Sequence, residues 1–223
     1  MIKAIIFDMN GVIIDDESLQ EKAFKDVLAG RGVNLNHADY YKYCIGLTDR
    51  QCIINFVKIY NINNVDKENL LFKKRKKYLE IISGNMKSFP GVRELVIKLS
   101  ERYKLAVSSS SRREEVKMII KNFGLAKYFL AIISGSDIKN HKPHPEPYLV
   151  AAKKLGFPVS ECLAIEDTPV GISSAKAAGM KCVAVLTTNK RSDLKEADYV
   201  AKNFQEIEKI INNINKKYVR RKK

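Results

Sequence analysis

Short apolar runs alternate with helical patterns along most of the chain. The first run covers residues 5–7, almost at the N-terminus, and stops at Asp8. Later runs cover 104–107, 131–134, 162–165 and 181–186, followed by a short one at 199–200. A short apolar run that ends in polar residues is typical of a buried strand in a parallel sheet. Between these runs, apolar residues recur every three or four positions, which predicts helices.

The second half of the chain alternates regularly between predicted strands and predicted helices. The helices are expected at 92–101, 114–123, 147–155, 171–178 and 204–214. This alternation predicts an α/β fold, a Rossmann-like, doubly wound parallel sheet with helices on both faces. Ligands of such sheets bind beyond the carboxyl ends of the strands. We therefore expect the polar residues that follow each strand to gather at one edge of the sheet.

The stretch between the first and the second strand shows only helical patterns. Helices are predicted at 15–30, 40–45, 49–59 and 65–82. Thr48 and Asp66 are suited to cap the last two of these helices. The segment Phe89-Pro90-Gly91 then marks the return to the sheet. We predict two domains, an α/β core of residues 1–15 and 87–223 and an inserted all-helical cap domain of residues 16–86.

The composition excludes several classes of protein. Hydrophobic residues make up 45% of the 223 residues, which is enough for a sizeable core. No apolar run approaches the roughly 18 residues of a membrane span, and the first residues lack the pattern of a signal peptide. No C-x-x-C spacing is present among Cys44, Cys52, Cys162 and Cys182. We expect these cysteines to be reduced thiols in a cytoplasmic protein that does not contact a membrane.

The formal net charge of +15 makes nucleic acid one alternative ligand. This charge is partly local, in the segments 73–77 and 216–223. The first segment lies in a helical pattern and is interpreted as a solvated face, and the second is interpreted as a frayed end. We therefore do not expect nucleic acid to be the main ligand, although a basic nucleic-acid-associated protein stays open as an alternative.

Four polar segments follow the predicted strands in a definite order. They are Asp8 with Asn10, Ser109 with Ser110 and Ser111, Lys142 within His141-Lys142-Pro143-His144-Pro145, and Glu166-Asp167-Thr168. This set resembles the haloacid dehalogenase (HAD) superfamily of phosphohydrolases. The segments 7–12, 142–145 and 165–172 look like the branch that contains β-phosphoglucomutase and related sugar-phosphate phosphatases. The resemblance covers nearly the whole chain, including a helical cap at the insert position.

The resemblance implies a phosphatase that works through a covalent aspartyl-phosphate on Asp8. A phosphate monoester is very hard to hydrolyse, and covalent catalysis divides the reaction into two easier steps. The family pattern also implies Mg²⁺, a hard cation that prefers carboxylate, carbonyl and water oxygens. Its implied ligands are Asp8, the main-chain carbonyl of Asn10, and Asp167, with Glu166 close by or ligating.

The resemblance also implies how the phosphoryl group is bound. Lys142 is expected to bring a second positive charge to the site, as a catalytic and phosphate-binding residue. Ser109 and Ser110 are expected to bind the phosphoryl group, together with backbone N–H groups at the start of the following helix. The expected substrate is a small phosphorylated metabolite, and we expect the chain to act as a monomer.

One departure from the family pattern concerns Asn10. The family has Asp-x-Asp-Gly at this point, and the second Asp is the general acid and base. An amide does not titrate near neutral pH, and loss of acid–base help typically costs on the order of 10²–10⁴ in rate. Three accounts compete: an engineered change, a natural variant that uses another base such as Asp15, Asp16 or Glu17, or a different or lost activity.

A second departure concerns the cap residues that we expect to contact the substrate, Gln20, Thr48 and Arg50. The related pattern has His where this chain has Gln20, and mutases carry an Arg one place before Arg50. A simple phosphatase is therefore favoured. Two alternatives stay open, a phosphoryl transfer of the β-phosphoglucomutase type and a catalytically impaired module that binds a ligand or a protein.

Overall fold

A computed structural model describes residues 1–220, which divide into two compact units. One unit, the core, joins Met1–Ile14 to the segment that begins at Ser88, and the other unit, the cap, is Asp15–Lys87. In chain order the elements are β1 (Ala4–Phe7), α1 (Glu17–Ala29), α2 (His37–Cys44), α3 (Asp49–Ile59), α4 (Lys67–Ile82), α5 (Val92–Ser100), β2 (Lys104–Ser108), α6 (Arg113–Asn122), β3 (Phe129–Ile133), α7 (Glu146–Leu155), β4 (Cys162–Glu166), α8 (Pro169–Ala177), β5 (Lys181–Val185), β6 (Tyr199–Ala201) and α9 (Phe204–Arg220).

The strands of the core form one parallel sheet with the order β3-β2-β1-β4-β5-β6. β1 lies in the middle, and Ile6 is level with Ala106 of β2 and with Ala164 of β4. Every residue of β1 is buried, as its uninterrupted apolar sequence requires. The predicted Rossmann-like parallel sheet is confirmed.

Different helices cover the two faces of the sheet. Ile6, Ala106 and Ala164 lie in one apolar cluster with residues of α7 and α8. Successive residues of a strand point to opposite faces, so Ile5 and Leu105 belong to the other face. Two further helices contact strands of the sheet: α5 contacts β2, and α9 contacts β5 and β6.

The core consists of two chain segments, and the ends of these segments that flank the cap lie side by side. Ile14 and Ser88 are partners in an antiparallel bridge. Next to them, the backbone N–H of Phe89 donates to the carbonyl of Ile13 at 3.3 Å. The core is therefore closed by its own hydrogen bonds at the point where the chain leaves it.

The last helix is longer than the sequence predicts. We expected it to end before the basic tail, but α9 continues to Arg220. At the start of this extension, Asn215 accepts a hydrogen bond from the Ile2 N–H at 2.8 Å and donates to the Tyr103 hydroxyl at 3.1 Å. Residues 221–223 of the tail lie outside the described part of the chain. None of the described helices combines the length and the apolar character that crossing a membrane requires.

The cap is all-helical, as predicted, and has an apolar core of its own. Phe24 packs edge-on against Phe56 with 5.4 Å between ring centroids, and Tyr40 lies beside them. The predicted helix caps are confirmed, because the side chains of Thr48 and Asp66 accept hydrogen bonds from N–H groups at the starts of α3 and α4. These bonds satisfy donors that a helix start leaves unpaired.

The prediction of reduced cysteines is wrong for one pair. Cys44 at the end of α2 and Cys52 in α3 form a disulfide, with their Cα atoms 4.8 Å apart. The turn between the two helices brings these residues into the range that a disulfide needs, although their spacing follows no common motif. Cys162 and Cys182 are buried free thiols, as expected.

Candidate functional site

Three neighbouring strands deliver predicted site residues to one edge of the core sheet. Asp8 follows β1, Ser109 follows β2 and Asp167 follows β4, and β1 lies between the other two strands. The N–H of Asp8 donates to the Ile165 carbonyl at 2.9 Å, so the sheet hydrogen bonds continue one residue beyond β1. All three site residues are buried. The expected gathering of polar residues at the carboxyl edge is therefore present in the structure.

Lys142 reaches the same edge from the loop before α7. Its Nζ lies 2.5 Å from Oδ1 of Asp8 and 2.5 Å from Oε1 of Glu166, and only 6% of the side chain is exposed. The Tyr148 hydroxyl donates to the same Glu166 oxygen at 2.5 Å, and the Tyr148 ring lies 5.2 Å from Nζ. Lys142 is thus a buried cation held between two carboxylates.

The loop that carries Lys142 is fixed at both ends. The Glu146 carboxylate, at the start of α7, accepts hydrogen bonds from two backbone N–H groups of the loop at 2.8 and 3.0 Å. The Ser174 hydroxyl of α8 donates to the carbonyl of His144 at 2.6 Å. These contacts hold the loop in place without using the Lys142 side chain.

Glu166 and Asp167 are adjacent, but their oxygens are satisfied differently. Both oxygens of Glu166 accept hydrogen bonds from the protein, Oε1 from Lys142 and Oε2 from the Asp167 N–H at 3.2 Å. Oδ2 of Asp167 accepts a hydrogen bond from Thr188. Oδ1 of Asp167 is buried and has no hydrogen-bond partner among the described residues. A buried oxygen of this kind calls for an explanation, and a bound cation is one.

Asp8, Glu166 and Asp167 form an acidic cluster in the core. Each offers a carboxylate oxygen, and these oxygens lie within 4.8 Å of one another. Gly11 closes one side of the cluster, because a Cβ at this position would lie 1.9 Å from Oδ2 of Asp167. Its φ of +78° also favours glycine. Carboxylate oxygens are the donors that Mg²⁺ prefers, so the cluster fits this ion.

Burial and repulsion from neighbouring carboxylates raise the pKa values of Asp8 and Asp167. Burial raises the pKa of Asp8 to about 7, although Lys142 acts to lower it. Burial raises the pKa of Asp167 well above its usual range, and Asp8 and Glu166 add to this shift. Burial alone would lower the pKa of Lys142, but the two carboxylates raise it above its ordinary value, so the amine stays protonated. One ammonium faces three carboxylates, and a further positive charge would lower the pKa of Asp8 and that of Asp167.

Asn10 faces the serine loop that follows β2. Its Oδ1 accepts hydrogen bonds from the hydroxyls of Ser109 at 3.3 Å and of Ser111 at 3.1 Å. The N–H of Ser111 donates to Oγ of Ser109 at 3.0 Å. Ser110 is half-buried. Its carbonyl oxygen lies close to Gly135, since a Cβ on Gly135 would be 2.4 Å from this oxygen. The position that the family uses for an acid therefore holds an amide bound to two hydroxyls.

Sequence reasoning missed the polar segment after β5. Thr187 donates to the carbonyl of Gly11 at 2.6 Å, and Thr188 donates to the Asp167 carboxylate. Asn189 donates from Nδ2 to the main-chain carbonyl of Asp167 at 2.9 Å. A signal was available, because three polar residues directly follow a predicted strand, as at three of the four segments that were recognised.

The predicted substrate residues of the cap have different surroundings within that unit. Thr48 caps α3. Arg50 forms an exposed ion pair with Glu68 at 2.7 Å. Gln20 is half-buried, and its Nε2 donates to Oδ2 of the buried Asp16 at 3.0 Å. Of the three, Gln20 is the one that bonds to two buried side chains, Asp16 and Lys74.

Lys74 corrects our interpretation of segment 73–77 as a solvated face. Its side chain is 1% exposed, and its Nζ lies 2.6 Å from Oδ1 of Asp49. Nζ also donates to Gln20 and lies 4.5 Å from the centre of the Phe24 ring. A helix has an inner and an outer face, so one lysine of a basic run can point inward while its neighbours stay in solvent.

The chain is similar to known proteins along most of its length. Residues 5–185 match the family described as haloacid dehalogenase-like hydrolase. The phosphorylated carbohydrates phosphatase of Thermotoga maritima is 32% identical over 205 residues, which cover 90% of this chain and 93% of that protein. Protein SUPPRESSOR OF QUENCHING 1, chloroplastic, of Arabidopsis thaliana is 36% identical over 202 residues, which cover 88% of this chain but only 19% of that protein.

A solved structure shares the architecture. The crystal structure of β-phosphoglucomutase from Clostridium difficile superposes with a TM-score of 0.87 at 26% identity. The match covers 98% of this chain and 100% of the other. It therefore includes the inserted helical segment as well as the sheet.

Proposed function

Because the chain belongs to the haloacid dehalogenase-like hydrolase family, we propose that it is a Mg²⁺-dependent phosphatase of small phosphorylated sugars. The observation that carries the proposal is the buried contact of Lys142 with both Asp8 and Glu166, at 2.5 Å each. A fixed ammonium beside a carboxylate offsets the repulsion between that carboxylate and an incoming phosphate. The name of the Thermotoga maritima relative, a phosphorylated carbohydrates phosphatase, supports a sugar phosphate as substrate.

The proposed reaction has two steps on Asp8. In the first, a carboxylate oxygen of Asp8 attacks phosphorus, and the bond from phosphorus to the sugar oxygen breaks. The sugar oxygen keeps the bonding electrons and takes up a proton, which leaves an aspartyl-phosphate. In the second, water attacks phosphorus and loses a proton, and the bond to the Asp8 oxygen breaks. Inorganic phosphate is released and the carboxylate is restored.

Several groups of the core would balance the charge in these steps. Lys142 stays protonated next to Asp8 and would face the phosphoryl oxygens. Ser109, Ser110 and the N–H groups at the start of α6 would bind the same oxygens. Mg²⁺ would be held by Asp8, Asp167 and the main-chain carbonyl at position 10, with Glu166 close by or ligating. When bound, the ion neutralises phosphoryl charge.

Asn10 would slow the proton transfers. Its amide accepts hydrogen bonds from Ser109 and Ser111 and carries no proton that it can give or take near neutral pH. Attack by Asp8 needs little proton donation when the leaving group is already acidic, but the attacking water of the second step still needs a base. With an activated phosphoryl donor, whose leaving group is acidic, we therefore expect the aspartyl-phosphate to form faster than it is hydrolysed.

A panel of sugar phosphates, assayed with Mg²⁺ and again with EDTA, tests this proposal. The wild-type chain should release phosphate from at least one sugar phosphate in the presence of Mg²⁺ only. Asp8→Asn should release none, while Asp193→Asn, which changes an exposed carboxylate, should keep the wild-type rate. No release from any substrate, together with no phosphoryl group on the intact protein, would overturn the proposal.

Asn10 also favours a second candidate, a module that binds phosphorylated ligands without turning them over. Such a module would keep Lys142 and the serines for binding and lack only the acid–base step. Calorimetry with the same sugar phosphates separates the two. Binding without hydrolysis, by the wild-type chain and also by Asn10→Asp, would favour the module.

A further inference from the structure

The two oxygens of the Asp167 carboxylate have opposite surroundings. Oδ2 accepts a hydrogen bond from the hydroxyl of Thr188, which lies in the segment after β5. Oδ1 is buried and has no hydrogen-bond partner in the part of the chain that the structure describes. One oxygen is therefore bound by the protein, and the other is available to a ligand.

Asn189 determines the direction of the hydrogen bond from Thr188. The Nδ2 of Asn189 lies 2.9 Å from the main-chain carbonyl of Asp167 and 3.0 Å from Oγ1 of Thr188. The carbonyl only accepts, so the atom of Asn189 that faces it is the donating nitrogen. The same nitrogen then donates to Oγ1 of Thr188. The single hydroxyl proton of Thr188 is left to point at Oδ2 of Asp167.

Gly11 encloses Oδ2 from another side. A Cβ on Gly11 would lie 1.9 Å from Oδ2 of Asp167 and 3.0 Å from Cγ2 of Thr188. The backbone of Gly11 is fixed in this position because its carbonyl accepts a hydrogen bond from Thr187 at 2.6 Å. Oδ2 is therefore surrounded by protein atoms, and rotation of the carboxylate would break its bond with Thr188.

We propose that Thr188 is a positioning residue that makes Asp167 bind a metal ion through Oδ1 alone and so favours Mg²⁺ over Ca²⁺. The inference rests on the proposed Mg²⁺ site. Ca²⁺ takes roughly six to eight oxygens and often both oxygens of one carboxylate, whereas Mg²⁺ needs a near-ideal octahedron at shorter distances. A hydrogen bond on Oδ2 withholds the second oxygen from Ca²⁺ and leaves the single oxygen that Mg²⁺ uses in place.

Removing the hydroxyl should therefore change the selectivity of the site. Thr188→Val keeps the shape of the side chain but cannot donate, so no hydrogen bond holds Oδ2 and the carboxylate can rotate to offer both oxygens to a metal ion. Loss of a group that orients a metal ligand typically changes metal affinity by about 10–100-fold. We expect the ratio of Mg²⁺ affinity to Ca²⁺ affinity to fall by about 10-fold or more in Thr188→Val. Thr188→Ser retains the hydroxyl and should keep the wild-type ratio.

Calorimetric titration of the full chain with Mg²⁺ alone and with Ca²⁺ alone measures this ratio without reference to activity. The wild-type ratio in Thr188→Val would overturn the role of Thr188, and so would an equal fall in Thr188→Ser. If Thr188→Val does not fold, Asn189→Ala takes its place, because it removes the donor that directs the hydroxyl. It should lower the ratio in the same sense, and an unchanged ratio would count against the proposal.

Failure of the metal site itself has a separate signature. Asp167→Ala should bind neither ion with the wild-type affinity. A wild-type chain that binds neither ion, or an Asp167→Ala chain that binds both as the wild type does, would contradict the proposed Mg²⁺ site and with it the role of Thr188. If the wild-type chain binds Mg²⁺ through Asp167 but the ratio of Mg²⁺ affinity to Ca²⁺ affinity is the same in Thr188→Val, only the role of Thr188 is contradicted.

Discussion

The hydroxyl of Ser111 donates to Oδ1 of Asn10 at 3.1 Å, so an amide oxygen anchors the loop that follows β2. Ser109 donates to the same oxygen at 3.3 Å. A carboxylate oxygen at this position could accept the same two bonds, because both hydroxyls are donors. The anchoring of the loop therefore does not need an acid, whereas proton transfer does.

Asn10→Asp should raise steady-state turnover by roughly 10²–10⁴-fold, the usual span of general acid–base catalysis. Asp8 and Lys142 are unchanged in this variant, so the gain should come from the proton transfers. After mixing with an activated phosphoryl donor, intact-protein mass should show a phosphoryl group on the wild-type chain and little on Asn10→Asp. A variant that turns over no faster than the wild type would mean that another group relays the proton.

Asp167→Ala should abolish the stabilisation of the chain by Mg²⁺. A ligand that binds only the folded state raises the melting temperature by mass action, and the effect grows with its concentration. The wild-type melting temperature should therefore rise along a Mg²⁺ titration, and that of Asp167→Ala should not. Asp193→Ala removes an exposed carboxylate of the same unit and should respond as the wild type does. A response that persists in Asp167→Ala would refute the ligand assignment.

Asp49→Asn should destabilise the cap through Lys74. Removing one partner of a buried ion pair leaves an uncompensated charge and costs about 3–5 kcal/mol. Lys74 is fully buried and Asp49 is 28% exposed, so we expect about 3 kcal/mol in chemical denaturation. Glu68→Gln breaks the exposed pair with Arg50 and should change stability by less than about 1 kcal/mol. Equal effects of the two substitutions would contradict the special role of Lys74.

Glu17→Gln should remove a pH-dependent loss of stability. Burial raises the pKa of Glu17 to about 7 from an ordinary value of 4.5, although a hydrogen bond from Tyr40 lowers it. Between these two values the folded state binds more protons than the unfolded state, so wild-type stability falls as pH rises through this window. Glutamine stays neutral and keeps an oxygen for Tyr40. The melting temperature of Glu17→Gln relative to wild type should therefore increase from about pH 4.5 to about pH 7.

The control for this prediction is Glu80→Gln, at an exposed position of α4. Measured over the same range, it shows the effect of removing an exposed carboxylate from the same unit, against which the result for Glu17→Gln is compared. A constant difference for Glu17→Gln would show that Glu17 titrates normally in the folded chain.

The sheet and the polar residues at its carboxyl edge could be predicted because the signals are local. Asp8, Ser109 and Asp167 each stand where an apolar run stops, and parallel strands bring such stops to one edge. Thr188, which donates to Asp167, also follows the end of a strand, so the same rule applies to it. No family motif marks the segment after β5.

The interior of the cap could not be predicted in the same way. Which residue of the basic run points inward depends on the helices that surround α4, so the burial of Lys74 is a tertiary property. The Cys44–Cys52 disulfide likewise depends on the angle at which α2 and α3 meet, which hydrophobic periodicity does not encode. The bonds that Asn215 of α9 makes with distant residues are tertiary contacts too, which hydrophobic periodicity does not encode.

The bridge between Ile14 and Ser88 affects how the inserted segment of such a chain can change during evolution. Antiparallel neighbours can be joined by a turn of about two residues, so chain continuity in the core does not require the 73 residues between them. Insertions of other lengths and sequences can start and end at this bridge without altering the register of the sheet. Selection can therefore exchange the inserted segment while the strand ends that hold Asp8 and Asp167 stay as they are.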